Sequence, residues 1–222
     1  KGQNPIKQLQ SVAKPQRITA AVLNHIPFLD GFYADLLQVL DTSLGSLREN
    51  AGIPFDLLVY DNGSCAEARA YLLREFEQGR IQILILAEHN MGKGGAWNVM
   101  LQAAPGEIVA YADNDVLYYP GWLVESVKVL EAYPNVGMVT ARPYYSKPDL
   151  YSASVDWATQ TAAAQVERGR LIEPLWVREF LLSLGRTEEE IAAELDVGVD
   201  DFQDILNQIS CASVVALDEF WD

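Results

Sequence analysis

Apolar residues fall into two alternating kinds of run along this chain. Four short runs rich in β-branched residues, Ile18–Leu23, Phe55–Tyr60, Ile81–Ala87 and Ile108–Ala112, have the length of strands and recur at similar spacing. Between them the apolar positions step by three or four, as at Phe32, Leu36, Leu37, Leu40, Leu44 and Leu47, and again at Ala68, Tyr71, Leu72 and Phe76. Those are the stripes of helices. Strands alternating with helices predict right-handed crossovers and a mostly parallel sheet covered on both faces. Beyond the fourth strand, Pro120-Gly121 breaks the chain, Trp122–Ala132 has a helical pattern, and Val136–Ala141 reads as a fifth strand. From about 150 to 207 the pattern is helical without strand signals. Gly185 is placed as a helix stop, and Thr187-x-x-Glu190 is a capping box opening a helix expected to reach about Leu195.

Each strand is followed by polar residues. Asn24-His25 follows the first, Asp61-Asn62-Gly63-Ser64 the second, Glu88-His89-Asn90 the third and Asp113-Asn114-Asp115 the fourth. In an open parallel sheet the carboxyl ends of the strands line the ligand crevice, so these groups are expected to converge on one edge.

Charge narrows what could sit there. The 31 acids against 16 bases leave a net charge of −15, which repels nucleic acid and anionic lipid. A polyanionic ligand then needs local help, such as a metal ion. Residues 1–17 hold four bases (Lys1, Lys7, Lys14 and Arg17) and no acid. The segment 1–16 reads as a flexible lead-in, able to brush a membrane surface but without an apolar face to lie in one. A start at Lys1 rather than Met is compatible with a processed piece. No run approaches the roughly 18 apolar residues of a membrane helix. Cys65 and Cys211, far apart and outside any CxxC pattern, read as reduced thiols, and the expected location is the cytoplasm, with a peripheral membrane association left open. At 222 residues the chain suits one α/β domain with an insertion.

Asp113-Asn114-Asp115 is the leading chemical candidate. Two carboxylates about 4 Å apart repel by about 4 kcal/mol at an effective dielectric near 20, and a cation between them removes that penalty. Such a hard oxygen site suits Mg²⁺ or Mn²⁺, with substrate phosphates completing the shell. An ordinary Asx turn before a helix is the alternative. The run Asn90-Met91-Gly92-Lys93-Gly94-Gly95-Ala96-Trp97-Asn98 opens a helix but is neither a P-loop, lacking Ser or Thr after the lysine, nor a dinucleotide fingerprint, since the first strand ends without glycines. Flexible-turn glycines without a ligand are its bland reading.

A strand, a D-x-G-S turn, an N-x-G turn leading into a helix with Asn, and a D-x-D stand in that order across roughly residues 17–145. In this the sequence resembles the GT-A glycosyltransferases of family 2. The resemblance implies a GT-A type, Rossmann-like α/β fold, with a nucleotide-sugar-binding half at 17–149 and an acceptor-side half at 150–222 that carries the helical insertion. It implies that Asn24, Asp61, Asn90, Gly92, Lys93, Asn98 and Asp113 bind the nucleotide-sugar donor, Asp61 bordering a uracil-type base. It implies that Asp113 and Asp115 hold Mn²⁺ or Mg²⁺. Many members carry Arg where Trp97 stands.

The activity implied is inverting transfer of a single sugar from a nucleoside-diphosphate sugar to an acceptor hydroxyl, which must lose its proton to a carboxylate acting as general base. Leu217-Asp218-Glu219-Phe220-Trp221-Asp222 resembles the start of the element that holds this base, so Asp218 and Asp222 are the catalytic candidates. The chain stops where the family's acidic pair is expected, and no histidine follows His89. The Gln-x-x-Arg-Trp signature of processive synthases is absent, pointing to non-processive transfer. A nucleotidylyltransferase shares the general fold but not its glycine-rich loop with Arg and Lys after the first strand. Thr187–Leu206 resembles a helix-turn-helix, yet its second helix carries Asp200, Asp201 and Asp204 without Lys or Arg, so no nucleic-acid partner is expected. Trp157, Trp176, Tyr144, Tyr145 and Tyr151 fall in the acceptor-side region, where aromatic rings either stack on sugars or fill the core.

Overall fold

The computed structural model describes residues 13–140, 153, 156–160 and 174–191. Four strands, β1 (Ile18–Asn24), β2 (Asp56–Asn62), β3 (Ile83–Ala87) and β4 (Ile108–Asp113), form one sheet in the order β3-β2-β1-β4. Every pairing is parallel, with Asn24 beside Asp61, Leu23 beside Asp113 and Asn62 beside Ala87. The helices α1 (Leu36–Glu49), α2 (Ala66–Glu77), α3 (Gly92–Ala103) and α4 (Trp122–Ala132) follow the strands in turn. This is the α/β sheet flanked by helices that the alternating pattern predicts.

Strand periodicity sorts the interior into two layers. From β1 and β2, Ala20, Val22, Leu57 and Val59 pack on Leu40, Leu44 and Leu47 of α1 and on Ala68 and Leu72 of α2. The alternate positions Ala21, Leu23, Leu58 and Tyr60 pack on Ala96 and Met100 of α3. Both faces of β1 and β2 are therefore buried, which is why these strands read as unbroken apolar runs. A further cluster of Ile18, Ala51, Leu123 and Val127 seats α4.

The chain divides into two compact units at Lys128/Val129. In the second unit, α5 (Pro174–Ser183) contributes Val177 and Leu181, which pack with Ile191. Gly185 ends this helix at φ +79°, and the capping box forms in full: Thr187 N donates to Glu190 Oε2 at 3.0 Å while Glu190 N donates to Thr187 Oγ1 at 3.2 Å. Arg178 is paired with Glu188. Residues 156–160 are helical, with Trp157 exposed. No helix among the described residues is long and apolar enough to cross a membrane.

Some sequence expectations are corrected. Residues 136–140 form no strand, and Ala141 lies outside the described residues. The turn at Asn135, with φ +61°, precedes this stretch, and no further strand pairs with β4 among the described residues. Phe32 belongs to a short 3₁₀ turn, Gly31–Tyr33, rather than to α1, and is 89% exposed. Asn24, Asp61, Asn62 and Asp113 are the last residues of their strands instead of following them. Lead-in residues 1–12, Tyr144, Tyr145 and Tyr151, the side chain of Trp176, the continuation of the 187–206 segment past Ile191, and Cys211 lie outside the described residues. Cys65 is a half-buried free thiol.

One buried charge ties α1 to α2. Glu75 accepts from Arg80 Nε at 2.8 Å and lies 3.2 Å from Nη1 of Arg48. The hydrogen bonds from Arg80, with the charge of Arg48 behind them, outweigh burial and hold the Glu75 carboxyl below the usual carboxylate range. Its folded pKa is thus depressed, so its contribution is present above the unfolded value near 4.3 and disappears as pH falls through the lower folded value. Glu75→Gln should lower the unfolding free energy at pH 7 by about 1–3 kcal/mol. Denaturant melts should show the loss shrinking below about pH 4.

Candidate active site

The sheet order places a topological switch point between β1 and β4. From β1 the chain steps outward to β2 and β3, then returns past β1 to lay down β4 on the other side. Because the direction reverses there, α1 and α2 cover one face and α3 the other, and in open parallel sheets the carboxyl ends flanking such a point are where ligands bind. Asn24 and Asp113 are the residues that end those two strands.

Two hydrogen-bonded chains of polar side chains hold this edge. The first is centred on Asn24, which is fully buried. Its Nδ2 donates to Asp61 Oδ1 at 2.9 Å and to Ser64 Oγ at 3.1 Å, and its Oδ1 accepts from Asn114 Nδ2 at 2.7 Å. Asp61 is also fully buried; its Oδ2 accepts from Ser64 N at 3.2 Å and lies 3.3 Å from Arg69 Nε. Arg69 in turn donates to the Ala87 carbonyl at 2.7 Å. Three strand ends and two turns are joined through one carboxylate and one amide.

The second chain is centred on Asn90. Its Oδ1 accepts from Asn62 Nδ2 at 2.9 Å and from Gly92 N at 2.7 Å, while Asn62 Oδ1 accepts from Met91 N at 2.8 Å. Backbone amides only donate, so both side-chain amide orientations are fixed. Asn90 Nδ2 therefore donates to His25 Nε2 at 3.0 Å, and the neutral ring carries its proton on Nδ1, a buried atom without a partner among the described residues. Gly63 makes this packing possible. At φ +75°, a Cβ there would lie 2.7 Å from Asn90 N and from the His89 carbonyl carbon.

The chemically exposed residues lie around these networks. Asp113 Oδ2 is 2.8 Å from Lys93 Nζ, and Oδ1 accepts from the Tyr111 hydroxyl at 2.6 Å. Partial burial pushes the Asp113 carboxyl up, but the bonds from Lys93 and Tyr111 and the lysine charge together leave it below the usual range. The Tyr111 phenol is pushed up to about 12, by burial first and by its bond to Asp113. Asp115 is exposed. Tyr118 is buried with its hydroxyl lacking a partner among the described residues; burial, then the negative charges of Asp113 and Asp115, push its phenol up. Both carboxylates thus lie within electrostatic reach of one hydroxyl. Asn98 is exposed on α3 and belongs to neither network.

The structure therefore brings Asn24, Asp61, Asn90, Gly92, Lys93 and Asp113 to one edge but gives them unlike roles. Asn24 and Asp61 are fully buried, and the hydrogen bonds they make join the turns at the strand ends. Asn62 and Ser64 stand inside the D-x-G-S turn without a role assigned to them from the sequence, whereas Arg69, Tyr111 and Tyr118 belong to none of the motifs. For Arg69, its position one helical turn into α2 beyond Asp61 was the available signal. Asp218 and Asp222 lie outside the described residues. Among the described residues no group of three His, Cys, Asp or Glu converges to cage a metal. A site built on Asp113 and Asp115 would supply two carboxylates, which fits a hard divalent cation that takes its other ligands from water and phosphate.

Asn24→Ala should leave Asp61 and Asn114 each short of a partner and destabilise the fold by about 1–3 kcal/mol, measured by urea unfolding. Gly63→Ala places a methyl against the Asn90 turn and forces a left-handed φ on an L residue, so a loss of about 1–3 kcal/mol is expected in the same assay.

Comparisons with known proteins bear on this edge. Residues 32–176 match the family model described as glycosyl transferase family 2. An uncharacterized glycosyltransferase of Nostoc sp. is 29% identical over 102 residues, covering 46% of this chain and 32% of that protein. Among solved structures, the mannosyltransferase PcManGT of Pyrobaculum calidifontis, in complex with GDP-Man and Mn²⁺, is 27% identical at a TM-score of 0.46, covering 59% of this chain and 37% of its own. S. aureus TarS 1-349 in complex with UDP is 19% identical at a TM-score of 0.43, covering 53% and 32%. The chain spans about a third of the length of the curated relative it matches. With the family match running through well over half of its residues, from the turn after β1 past β4 and into α5, the chain belongs to glycosyl transferase family 2.

Proposed function

We propose that this chain is the donor-binding part of an enzyme that transfers one sugar from a nucleoside-diphosphate sugar to an acceptor hydroxyl, with inversion and without processive extension. Family membership supports sugar transfer. The observation that carries the donor site is the pairing of Asn114 with buried Asn24, which sets the Asp113-Asn114-Asp115 turn at the β1/β4 switch point.

The chain's own residues divide the work. Asn24 and Asp61 hold the strand ends in register, so that the exposed acids are positioned before a ligand arrives; a preorganised site needs little rearrangement at the moment of reaction. The Asn62–Asn90 pair fixes the turn into α3. There the side-chain positions of Gly92 and Gly94 face open space, leaving room for a diphosphate against the helix start. Lys93 stands between them and offers a positive charge to that diphosphate. Asp113 and Asp115 would hold Mn²⁺ or Mg²⁺, which supplies Lewis-acid stabilisation of the leaving diphosphate. The base that deprotonates the acceptor is assigned to Asp218 or Asp222 on the family resemblance alone.

A thermal-shift panel of UDP-, dTDP- and GDP-sugars with and without Mn²⁺ tests the reading. A matched donor at about 100 times its Kd adds about 2.7 kcal/mol, a rise on the order of 5–10 °C for a chain of this size. Asp115→Asn should keep the melting temperature of the free protein and lose the Mn²⁺-dependent part of the rise. No shift with any donor would count against the proposal.

A further inference from the structure

The Asp113 carboxylate already has a cationic partner. Lys93 Nζ lies 2.8 Å from Oδ2, and Tyr111 donates to Oδ1, so each oxygen accepts one bond before any ligand arrives. The pair lies in the open: 60% of the Lys93 side chain and 42% of the Asp113 side chain are exposed. Lys93 is the second residue of α3, flanked by Gly92 and Gly94, at neither of which would a Cβ meet an atom within 4 Å. Beyond its contacts with Asp113 and the neighbouring Tyr111 hydroxyl, this long and largely exposed side chain has open space over the flanking glycines into which it can swing.

We propose that Lys93 is a resident counter-cation of Asp113, holding the carboxylate while no divalent ion is bound and yielding it on donor binding to pair with the diphosphate. The inference rests on the donor reading above and adds to it a competition between two cations for one carboxylate. An ammonium and a divalent ion a few ångströms apart repel each other, and at an exposed site this shifts an equilibrium several-fold. Binding a divalent ion without nucleotide therefore works against Lys93. Binding it together with a diphosphate gives the displaced ammonium a new anionic partner, so ion and nucleotide favour each other's binding. Lysine suits this exchange because it is a point charge on a flexible stem, whereas the guanidinium fork of arginine grips a carboxylate bidentately. The Tyr111 bond to Oδ1 holds Asp113 in place while its cation changes.

The test is Mn²⁺ binding by the full chain, followed through the electron paramagnetic resonance of free Mn²⁺, with and without UDP. Lys93→Met should bind Mn²⁺ about fivefold more tightly than the unaltered protein when nucleotide is absent, and Lys93→Arg, which keeps the charge, should show no tightening. In the presence of Mn²⁺, Lys93→Met should bind UDP at least threefold more weakly. Melting curves establish that both variants are folded; the exposed position of Lys93 leads us to expect unchanged stability. If the unaltered protein binds Mn²⁺ with UDP but Lys93→Met shows no tightening, the counter-cation role is wrong and the donor reading stands. If the unaltered protein binds no Mn²⁺ with or without UDP, the metal-dependent donor reading fails and this inference fails with it.

Discussion

The carboxylate of Asp61 is fully buried, and the arrangement of the sheet edge follows from what is needed to keep it there. A buried charge without partners is strongly disfavoured, so the surrounding chain must supply donors. Arg69 brings a cation from α2, Ser64 brings a backbone amide from the turn, and Asn24 brings its side-chain amide from β1. Each of these donors is itself fixed by the demand. Because Asn24 spends both hydrogens on Asp61 and Ser64, its oxygen is left facing the other way, where Asn114 donates to it. A constraint that begins at β2 thereby reaches the acidic turn after β4. For an ion pair of this type the cost of taking the charges out of water offsets much of their attraction, so it contributes little net stability.

The second chain, through Asn62, Asn90 and His25, acts on the neighbouring turn and leaves α3 beginning where glycines keep the space clear. The two networks meet at Gly63, where the turn after β2 approaches the turn after β3 too closely for any side chain. Rigidity and openness are thus adjacent. Buried amides hold the frame, and the groups left exposed, Lys93, Asp113 and Asp115, are those whose charges can act on a ligand. In a chain with a net charge of −15, a polyanion approaching this edge meets general repulsion, so local cations must decide whether it stays.

Much of this was legible in the sequence. The four strands, the helical stripes, the glycine stop at Gly185 and the capping box from Thr187 to Glu190 all depend on neighbours within a few residues, and local patterns report them well. The proposed strand at 136–141 failed because an apolar run becomes a strand only when another strand bonds to it, and none does over 136–140 among the described residues. Phe32 kept the spacing of α1 but not its burial, since the 3₁₀ turn at Gly31–Tyr33 breaks the register before the helix begins.

By itself the sequence determined the order of elements, the parallel sheet they imply and the polar letters standing at each strand end, because hydrophobic periodicity and turn chemistry are local properties of the chain. The tertiary structure decided which of those letters are buried against each other and which stay exposed. Asn24 and Asp61 are written no differently from Asp113 and Asp115, yet two are sealed inside the frame and two remain open to solvent. Burial is set by residues 37 and 90 positions away, Asp61 and Asn114 against Asn24, and no local pattern contains that information.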